Sequence, residues 1–214
     1  MKTGILFDLD GTLLDTLEDL LDATNVALQH FGCPERTLAE LRTFVGNGAW
    51  NQIRLSLPGK ADDPNLEEVL AFYKEYYSGH CQNKTAPYPG VLEALAELRE
   101  YPMAIVSNKP DAAVKTLCAQ YFPGIYALGE AADCPRKPAP DMVFKAMKEI
   151  GVESCIYVGD SEVDIRTAKN ADVPCVSVLW GFRDRGVLED EGGRHFCGTM
   201  EDMVSLIREL SHGQ

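Results

Sequence analysis

The sequence is short of positive charge: in 214 residues, 20 lysines and arginines stand against 33 aspartates and glutamates, a formal net charge of −13. Proteins that bind nucleic acid or anionic membranes by general electrostatic attraction carry an excess of basic residues. Neither kind of partner is therefore expected. A phosphate-bearing ligand would need local positive charge or a metal ion.

Patterns typical of several other protein classes are also missing. The seven cysteines are never spaced as C-x-x-C, and their odd number does not favour a disulfide framework. No two of the four histidines are spaced like metal ligands on a helix. The first 20 residues contain five acids, which do not fit the apolar region of a signal peptide, and no later apolar run has the length of a membrane span. We therefore expect a cytoplasmic protein with reduced thiols.

The chain does contain short apolar runs that alternate with helical patterns. In the segment 141–151, Val143, Phe144, Met147 and Ile150 are placed on one helical face, and Gly151 can end the helix. Short buried strands separated by covering helices are typical of α/β proteins with a parallel sheet, which is the fold class we predict. The predicted strands are residues 4–9, 103–108, 125–128, 155–160 and 174–180.

About ninety residues with little strand character separate the first predicted strand from the second. A connection of this length must contain structure of its own. An apolar stripe runs from Leu17 to Phe31, and residues 65–80 form a second amphipathic pattern. We therefore predict a helical insertion at residues 15–83, with hinges near residues 12–16 and 84–89.

Four short polar segments follow the predicted strands, at the edge where open α/β sheets bind ligands. Within them we single out carboxylates, small hydrogen-bond donors and one lysine, Lys137. The segments are "DLDGT" (8–12), "SNK" (107–109), "RKPAPD" (136–141) and "GDSEVD" (159–164).

The first segment places two acids, Asp8 and Asp10, two positions apart. Their side chains converge if the extended geometry reaches both, although a strand end can turn first. Neighbouring carboxylates resist joint ionisation, and a hard divalent cation such as Mg²⁺ removes that repulsion. Asp160, after the fourth strand, is the expected third acid. Asp164 shares its face if a helix begins at Asp160.

Each of these residues also has an ordinary structural interpretation. Asp160 could cap a helix, and Asp164 could be a solvent-facing helical residue. Ser107 and Asn108 could form a turn before a proline, and Lys137 could be a surface lysine. The joint pattern, in this order and at strand ends, favours a functional site.

In this order, the four segments resemble the four motifs of the haloacid dehalogenase superfamily of phosphohydrolases. The insertion matches the cap of the first subclass of that superfamily, so the resemblance covers nearly the whole chain. It implies a doubly wound, Rossmann-like parallel-sheet core formed by residues 1–14 and 84–214, with a small α-helical cap domain at residues 15–83. Within the superfamily, the sequence looks most like phosphoglycolate phosphatases, through "FVGNGAW" (44–50), "VSNKP" (106–110) and "VLWGFR" (178–183).

The resemblance also implies roles for the acids. Asp8 would be the nucleophile that forms an aspartyl-phosphate, and Asp10 the general acid and then the general base. Mg²⁺ would be held by the Asp8 side chain, the Asp10 carbonyl and Asp160, with Asp164 as a supporting acid.

The remaining implied roles concern the substrate. Ser107, the amide of Asn108 and Lys137 would bind the transferring phosphoryl group, whose three equatorial oxygens need charge cancellation. The resemblance implies that the cap loop closes over the site and touches the leaving group. The residues of this loop, taken alone, favour a flexible turn in which Asn47 caps the next helix. The cap residues implied are Gly46, Asn47 and Gly48.

One departure from the family pattern concerns Asp172. The family commonly has glycine at this position, in a turn that favours left-handed backbone, which aspartate tolerates less well. The departure concerns local stability and not the chemistry.

The function we predict is a Mg²⁺-dependent phosphatase acting on a small phosphorylated metabolite, with 2-phosphoglycolate first. A sugar-phosphate mutase of the β-phosphoglucomutase type is the neighbouring alternative. A phosphometabolite-binding protein without turnover is an alternative of a different class. A monomer is the simplest expectation for the assembly, with a dimer as the alternative.

Overall fold

A computed structural model describes residues 2–212, and within that range the strands form two sheets. Six strands form a parallel sheet in the order β5-β4-β1-β6-β7-β8, and β2 pairs antiparallel with β3. In chain order, the strands are β1 (Thr3–Phe7), β2 (Leu14–Asp15), β3 (Ala86–Pro87), β4 (Met103–Pro110), β5 (Tyr126–Glu130), β6 (Ser154–Gly159), β7 (Cys175–Val178) and β8 (His195–Cys197).

The helices of the same range lie in two groups, four before β3 and six after it. A short 3-10 turn, Lys60–Asp62, precedes the fourth helix. The helices are α1 (Leu17–His30), α2 (Leu38–Phe44), α3 (Gly48–Ser56), α4 (Leu66–His80), α5 (Val91–Glu97), α6 (Asp111–Tyr121), α7 (Asp141–Ile150), α8 (Glu162–Asn170), α9 (Arg185–Asp190) and α10 (Met200–His212). Within residues 2–212, none of them combines the length and the apolar composition that crossing a membrane requires.

Both faces of the large sheet are covered by helices. Ile5 and Phe7 of β1 pack in one core with side chains of α5, α6 and α10, whereas Leu6 packs in a second core with α7 and α8. This alternation follows from the two-residue repeat of a strand buried on both sides. The predicted α/β class with a doubly wound parallel sheet is confirmed.

The order in which strands are added to the sheet reverses at β1. From β1 the chain proceeds outward through β4 and β5, then returns to the other side for β6, β7 and β8. Leu6 pairs with Ala104 of β4 and with Tyr157 of β6, so the carboxyl ends of these three strands are neighbours. Ligands of open α/β sheets bind at such a reversal point.

The four helices before β3 form a helical segment, residues 17–80, whose two ends are held together. The pairing of β2 with β3 joins the chain entering the segment to the chain leaving it. The buried carboxylate of Asp19 on α1 reinforces this junction, because it accepts hydrogen bonds from the backbone of Lys84 and from the amide and hydroxyl of Thr85, at 2.8–3.0 Å.

Several local details differ from the sequence-based expectations. The first strand ends at Phe7, two residues before the predicted end, and β8 was not predicted. Phe144 is half exposed, because the buried face of α7 is formed by Met142, Val143 and Ala146. Gly151 does end this helix in the left-handed region, with φ +69°.

The turn at Asp172 has the backbone expected for it. Its φ is +56°, the left-handed region in which an aspartate is strained relative to glycine.

Candidate active site

Three carboxylates meet at the carboxyl ends of β1 and β6. Oxygens of Asp8, Asp160 and Asp164 all lie within 4.8 Å of one another, and each residue is at most 5% exposed. Asp8 directly follows β1 and is aligned by its N–H, which donates to the carbonyl of Val158 at 2.8 Å. The structure therefore brings Asp8 together with two acids that lie about 150 residues later in the chain.

Asp10 is not a member of this group. The strand ends at Phe7, and the chain turns through Gly11, whose φ is +83°. An extended strand would have placed the Asp8 and Asp10 side chains on the same side. Because the chain turns, the Asp10 carboxylate instead lies 2.7 Å from Nζ of Lys109.

Two glycines allow this turn to lie against Asp160. A Cβ at Gly11 would lie 2.4 Å from Asp160 Oδ2, in addition to the strain of its positive φ. A Cβ at Gly181, after β7, would lie 2.3 Å from Asp160 Cβ. A side chain at either position would collide with Asp160, so both glycines are needed for Asp160 to occupy its place in the acid site.

Lys137 lies between Asp8 and Asp164 and is 1% exposed. Its Nζ lies 2.9 Å from Asp8 Oδ1 and 2.8 Å from Asp164 Oδ1, and it donates to the hydroxyl of Tyr157 at 3.0 Å. The alternative of a surface lysine is therefore wrong. The sequence reasoning missed Tyr157; its only signal was a tyrosine within an apolar strand, where a buried hydroxyl needs a partner.

Asp160 and Asp164 are both buried, but they do not lie together on one face of a helix as predicted. The helix begins at Glu162, after Asp160, so the premise that it begins at Asp160 is wrong. Asp164 instead folds back onto Ser161 and accepts from its amide at 3.0 Å and its hydroxyl at 2.6 Å. The alternative of a solvent-facing Asp164 is wrong as well.

The carboxylate of Asp160 is held by two donors outside the acid group. Its Oδ1 accepts from the Thr12 hydroxyl at 3.2 Å, and its Oδ2 accepts from the backbone N–H of Phe182 at 2.7 Å. Each oxygen keeps a lone pair, whereas both oxygens of Asp164 are taken by Lys137 and Ser161. Asp8 and Asp160 are thus the acids best able to accept a further ligand.

The electrostatics of the group favour a bound cation. Burial raises the pKa of Asp8 to about 7, although Lys137 opposes the rise, and burial together with the charges of Asp164 and Asp8 raises the pKa of Asp160 well above its ordinary value. Burial alone would lower the pKa of Lys137, but Asp164 and Asp8 raise it well above normal. One ammonium thus pairs with two of the three buried acids, and Asp160 has no lysine partner within the described residues. Oxygen donors with this excess of negative charge fit Mg²⁺.

The polar residues at the end of β4 face the same acids. Ser107 and Asn108 belong to the strand and are at most 4% exposed, so the alternative of a turn is wrong. The Ser107 hydroxyl oxygen accepts from the amide of Lys109 at 3.2 Å, which leaves its proton available for a ligand. The Asn108 side chain donates to the carbonyl of Lys137 at 3.0 Å and so positions the lysine loop.

Lys109 is the second residue that sequence reasoning missed. It is 5% exposed, and its Nζ lies 2.7 Å from Asp10 Oδ1 and 4.7 Å from the ring centroid of Tyr77 on α4. The available signal was its position inside "SNK", directly after a buried strand. The sequence-based prediction assigns roles to Ser107 and Asn108 of that segment and none to its lysine.

A cleft separates these residues from the helical segment. Gly46, Gly48 and Tyr73 line it on the helical side, whereas Asn47 does not. Asn47 precedes α3 at the cap position, but its side chain makes no capping hydrogen bond. The cleft is narrow, with a cavity volume of about 30 Å³.

Two arginines join the helical segment to the loop after β7. Arg42 on α2 donates to the carbonyls of Gly181 and Phe182, both at 2.8 Å. Arg183 donates in the opposite direction, to the carbonyls of Arg42 and Val45, both at 2.7 Å. These reciprocal contacts hold the helical segment against the sheet edge in the narrow arrangement. The sequence reasoning assigned neither arginine a role.

Comparisons with known proteins identify relatives of this chain. The model of the haloacid dehalogenase-like hydrolase family matches residues 5–178. A phosphoglycolate phosphatase of Pseudomonas syringae pv. tomato is 34% identical over 95% of this chain and 78% of its own length, and one of Mesorhizobium japonicum is 34% identical over 97% and 98%. A crystal structure from Lactobacillus delbrueckii subsp. bulgaricus, whose name provisionally assigns the same activity, superposes with a TM-score of 0.87 at 36% identity, over 97% of this chain and 99% of that one.

Proposed function

Since the chain belongs to the haloacid dehalogenase-like hydrolase family and is a phosphomonoester hydrolase, we propose that it is a Mg²⁺-dependent phosphatase whose substrate is 2-phosphoglycolate. The observation that supports this most is the pairing of buried Asp8 with Lys137, at 2.9 Å, inside a group of three acids. A carboxylate held in this way is positioned to attack phosphorus, and the names of the relatives supply the substrate.

Asp8 is the nucleophile of the proposed reaction. One of its carboxylate oxygens attacks the phosphorus atom, the bond from phosphorus to the ester oxygen breaks, and an aspartyl-phosphate forms. Attack requires the ionised form, which burial opposes, because it raises the pKa of Asp8 to about 7. Lys137 favours the ionised form through its positive charge.

Asp10 transfers protons in both steps. It gives a proton to the departing ester oxygen and later accepts one from the water molecule that hydrolyses the aspartyl-phosphate. It lies beside the cleft and outside the acid group, and its ion pair with Lys109, at 2.7 Å, must open before the carboxyl group reaches the ester oxygen.

The remaining polar groups bind the transferring phosphoryl group. Lys137 and the hydroxyl of Ser107 offset charge on its equatorial oxygens, and Asn108 holds the backbone of the lysine loop. Asp8, the carbonyl of Asp10 and Asp160 would hold Mg²⁺, with Asp164 keeping Lys137 in place. When bound, the ion supplies positive charge to the phosphoryl oxygens and to the acids.

We also propose the division into a core, residues 1–14 and 84–214, and a cap domain, residues 15–83. The junction at β2 and β3 is a natural hinge, because the chain crosses between the two parts only there. Movement about it would widen the cleft for substrate. Gly46 and Gly48 lie where cap backbone would approach the leaving group, and Asn47 would shape the same loop. The cytoplasmic location and the monomeric state stay predictions.

A panel of small phosphomonoesters tests the proposal. We expect phosphate release with the highest kcat/KM for 2-phosphoglycolate, and its loss in EDTA with recovery on addition of Mg²⁺. Isomerisation of a sugar phosphate without phosphate release would instead indicate the mutase. Binding of phosphate esters without any turnover would indicate a non-catalytic protein.

The variant Asp8→Asn tests the nucleophile. We expect kcat to fall more than about a thousandfold, with no phosphoenzyme in acid-quenched samples, because the neutral amide cannot form the acyl phosphate. Asp22→Asn is the matched control, since that side chain is half exposed on α1 and lies outside the cleft. Full activity of the Asp8 variant would contradict the mechanism.

A further inference from the structure

Lys109 is a buried cation in the cleft that neither chemical step uses. Its side chain is 2% exposed, and among the lining residues that the structure describes it is the sole cationic one. Lysine is almost never buried to this extent without partners for its ammonium group. Within residues 2–212, the hydrogen bonds of Nζ go to a single acceptor, Asp10, and its other close neighbour is the ring of Tyr77.

We propose that Lys109 binds the carboxylate of 2-phosphoglycolate and thereby selects this substrate. The inference rests on the proposed function. In that molecule one methylene separates the ester oxygen from the carboxylate, so their oxygens lie about 3 Å apart by ordinary bond lengths. A group that binds the carboxylate must therefore adjoin the group that protonates the ester oxygen. Lys109 meets this requirement, because its Nζ lies 2.7 Å from the Asp10 carboxylate.

Other cations near the cleft are poorly placed for this role. Arg42 and Arg183 use their donors on backbone carbonyls, and Arg54 lies over the ring of Trp50, 5.5 Å from its centroid. Arg136 lies beside Gly48, but it is one-third exposed, pairs with Glu130 at 3.7 Å, and makes no described contact with Asp10.

Binding would exchange one carboxylate for another on Lys109. When the substrate carboxylate takes the place of Asp10 on the ammonium, the Asp10 carboxylate is released towards the ester oxygen, takes a proton from solvent, and donates that proton to the ester oxygen as its bond to phosphorus breaks. A substrate without a carboxylate leaves the ion pair of Lys109 with Asp10 intact, so its leaving group competes with the lysine for Asp10. Selectivity thus arises both from the bound carboxylate and from the released acid.

The test compares 2-phosphoglycolate with ethyl phosphate, in which a methyl group replaces the carboxylate. In the wild type we expect kcat/KM to favour 2-phosphoglycolate. In Lys109→Met, the ratio of the two kcat/KM values should fall about 10- to 100-fold, as expected for removing one charge-assisted hydrogen bond. Lys109→Arg should recover most of the preference, and Arg136→Gln, which removes the neighbouring cation, should retain it.

The outcomes separate this inference from the proposed function. If the wild type does not hydrolyse 2-phosphoglycolate but hydrolyses other esters, both the proposed substrate and the inference are wrong. If the wild type prefers 2-phosphoglycolate and the methionine variant slows both substrates equally, Lys109 acts only through Asp10 and the inference alone is wrong. Should the methionine variant not fold, Lys109→Gln against Lys109→Arg gives the same comparison.

Discussion

Without a metal ion, the buried acids should make the protein less stable as the pH rises from 5 to 8. Asp8 has an ordinary pKa of 3.8 and a pKa of about 7 in the folded protein, chiefly because it is buried. Between these values the folded chain keeps a proton that the unfolded chain has released. The bound proton makes its full contribution to the free energy of unfolding below pH 3.8, and this contribution is lost as the pH rises through about 7.

The size of the effect follows from the two pKa values. At 1.36 kcal/mol per pKa unit, the change from 3.8 to about 7 corresponds to roughly 4 kcal/mol of unfolding free energy, of which about 3 kcal/mol is lost above pH 5. Asp160, whose pKa is also raised, acts in the same direction. This is a large share of the 5–15 kcal/mol typical of a folded domain.

The assay is urea unfolding in EDTA at pH 5, 6, 7 and 8, with Asp8→Asn as the reference. The amide does not titrate, so subtracting the two curves removes the contribution of ionisable groups that do not interact with Asp8; what remains comes from Asp8 and from neighbours such as Asp160, whose pKa the charge of Asp8 helps to raise. We expect the variant to gain about 3 kcal/mol relative to the wild type between pH 5 and 8. Mg²⁺ should stabilise the wild type at pH 8 more than the variant, because Asp8 is a proposed ligand.

Two results would refute this reasoning. If the wild type and the variant show parallel pH dependence within about 0.5 kcal/mol, burial does not keep Asp8 protonated in the metal-free protein. If Mg²⁺ stabilises both proteins equally, Asp8 is not one of its ligands.

Three further substitutions test the contacts around the site. Lys137→Met should lower the unfolding free energy by roughly 3–5 kcal/mol in urea at neutral pH, because it leaves buried acids unpaired; a loss below about 1 kcal/mol would show that they do not depend on it. Arg42→Ala should raise KM several-fold for every phosphomonoester, since it removes two contacts across the cleft, and an unchanged KM would show that they do not hold the cap closed. Asp19→Asn should cost roughly 2–3 kcal/mol in thermal unfolding, against less than about 1 kcal/mol for exposed Asp22→Asn, and equal losses would show that the buried junction adds nothing.

The parallel sheet could be predicted because its strands are buried on both faces. A strand such as Cys155–Val158 must be apolar at every position, and a run of that kind is visible in the sequence without knowledge of its neighbours. The edge strand β8 escaped prediction because it has three residues and only one neighbouring strand. Short edge strands have few residues from which a pattern can be recognised.

The acid group could be predicted for a different reason. The carboxyl ends of β1, β4 and β6 lie together in any sheet that reverses at β1, so polar residues after those strands meet whatever their separation in the chain. No comparable rule predicts which side chains of a helix will contact a neighbouring strand or loop. The contact of Lys109 with Tyr77 depends on how α4 lies over β4, and the contacts of Arg42 with the loop after β7 depend on the pose of the helical segment.

The first motif shows how one turn separates two chemically identical residues. Had β1 continued through Asp10, alternation would have placed both acids on one side and added a fourth carboxylate to a group that has one lysine. The turn at Gly11 instead directs Asp10 to Lys109, beside the cleft, while Asp8 remains with Lys137. The proposed nucleophile thus keeps its ammonium partner, and the proposed proton donor lies beside the cleft, where a leaving group would be. The close approach of Gly11 to Asp160 shows that the same turn also completes the acid site, so its glycine serves the geometry of both residues.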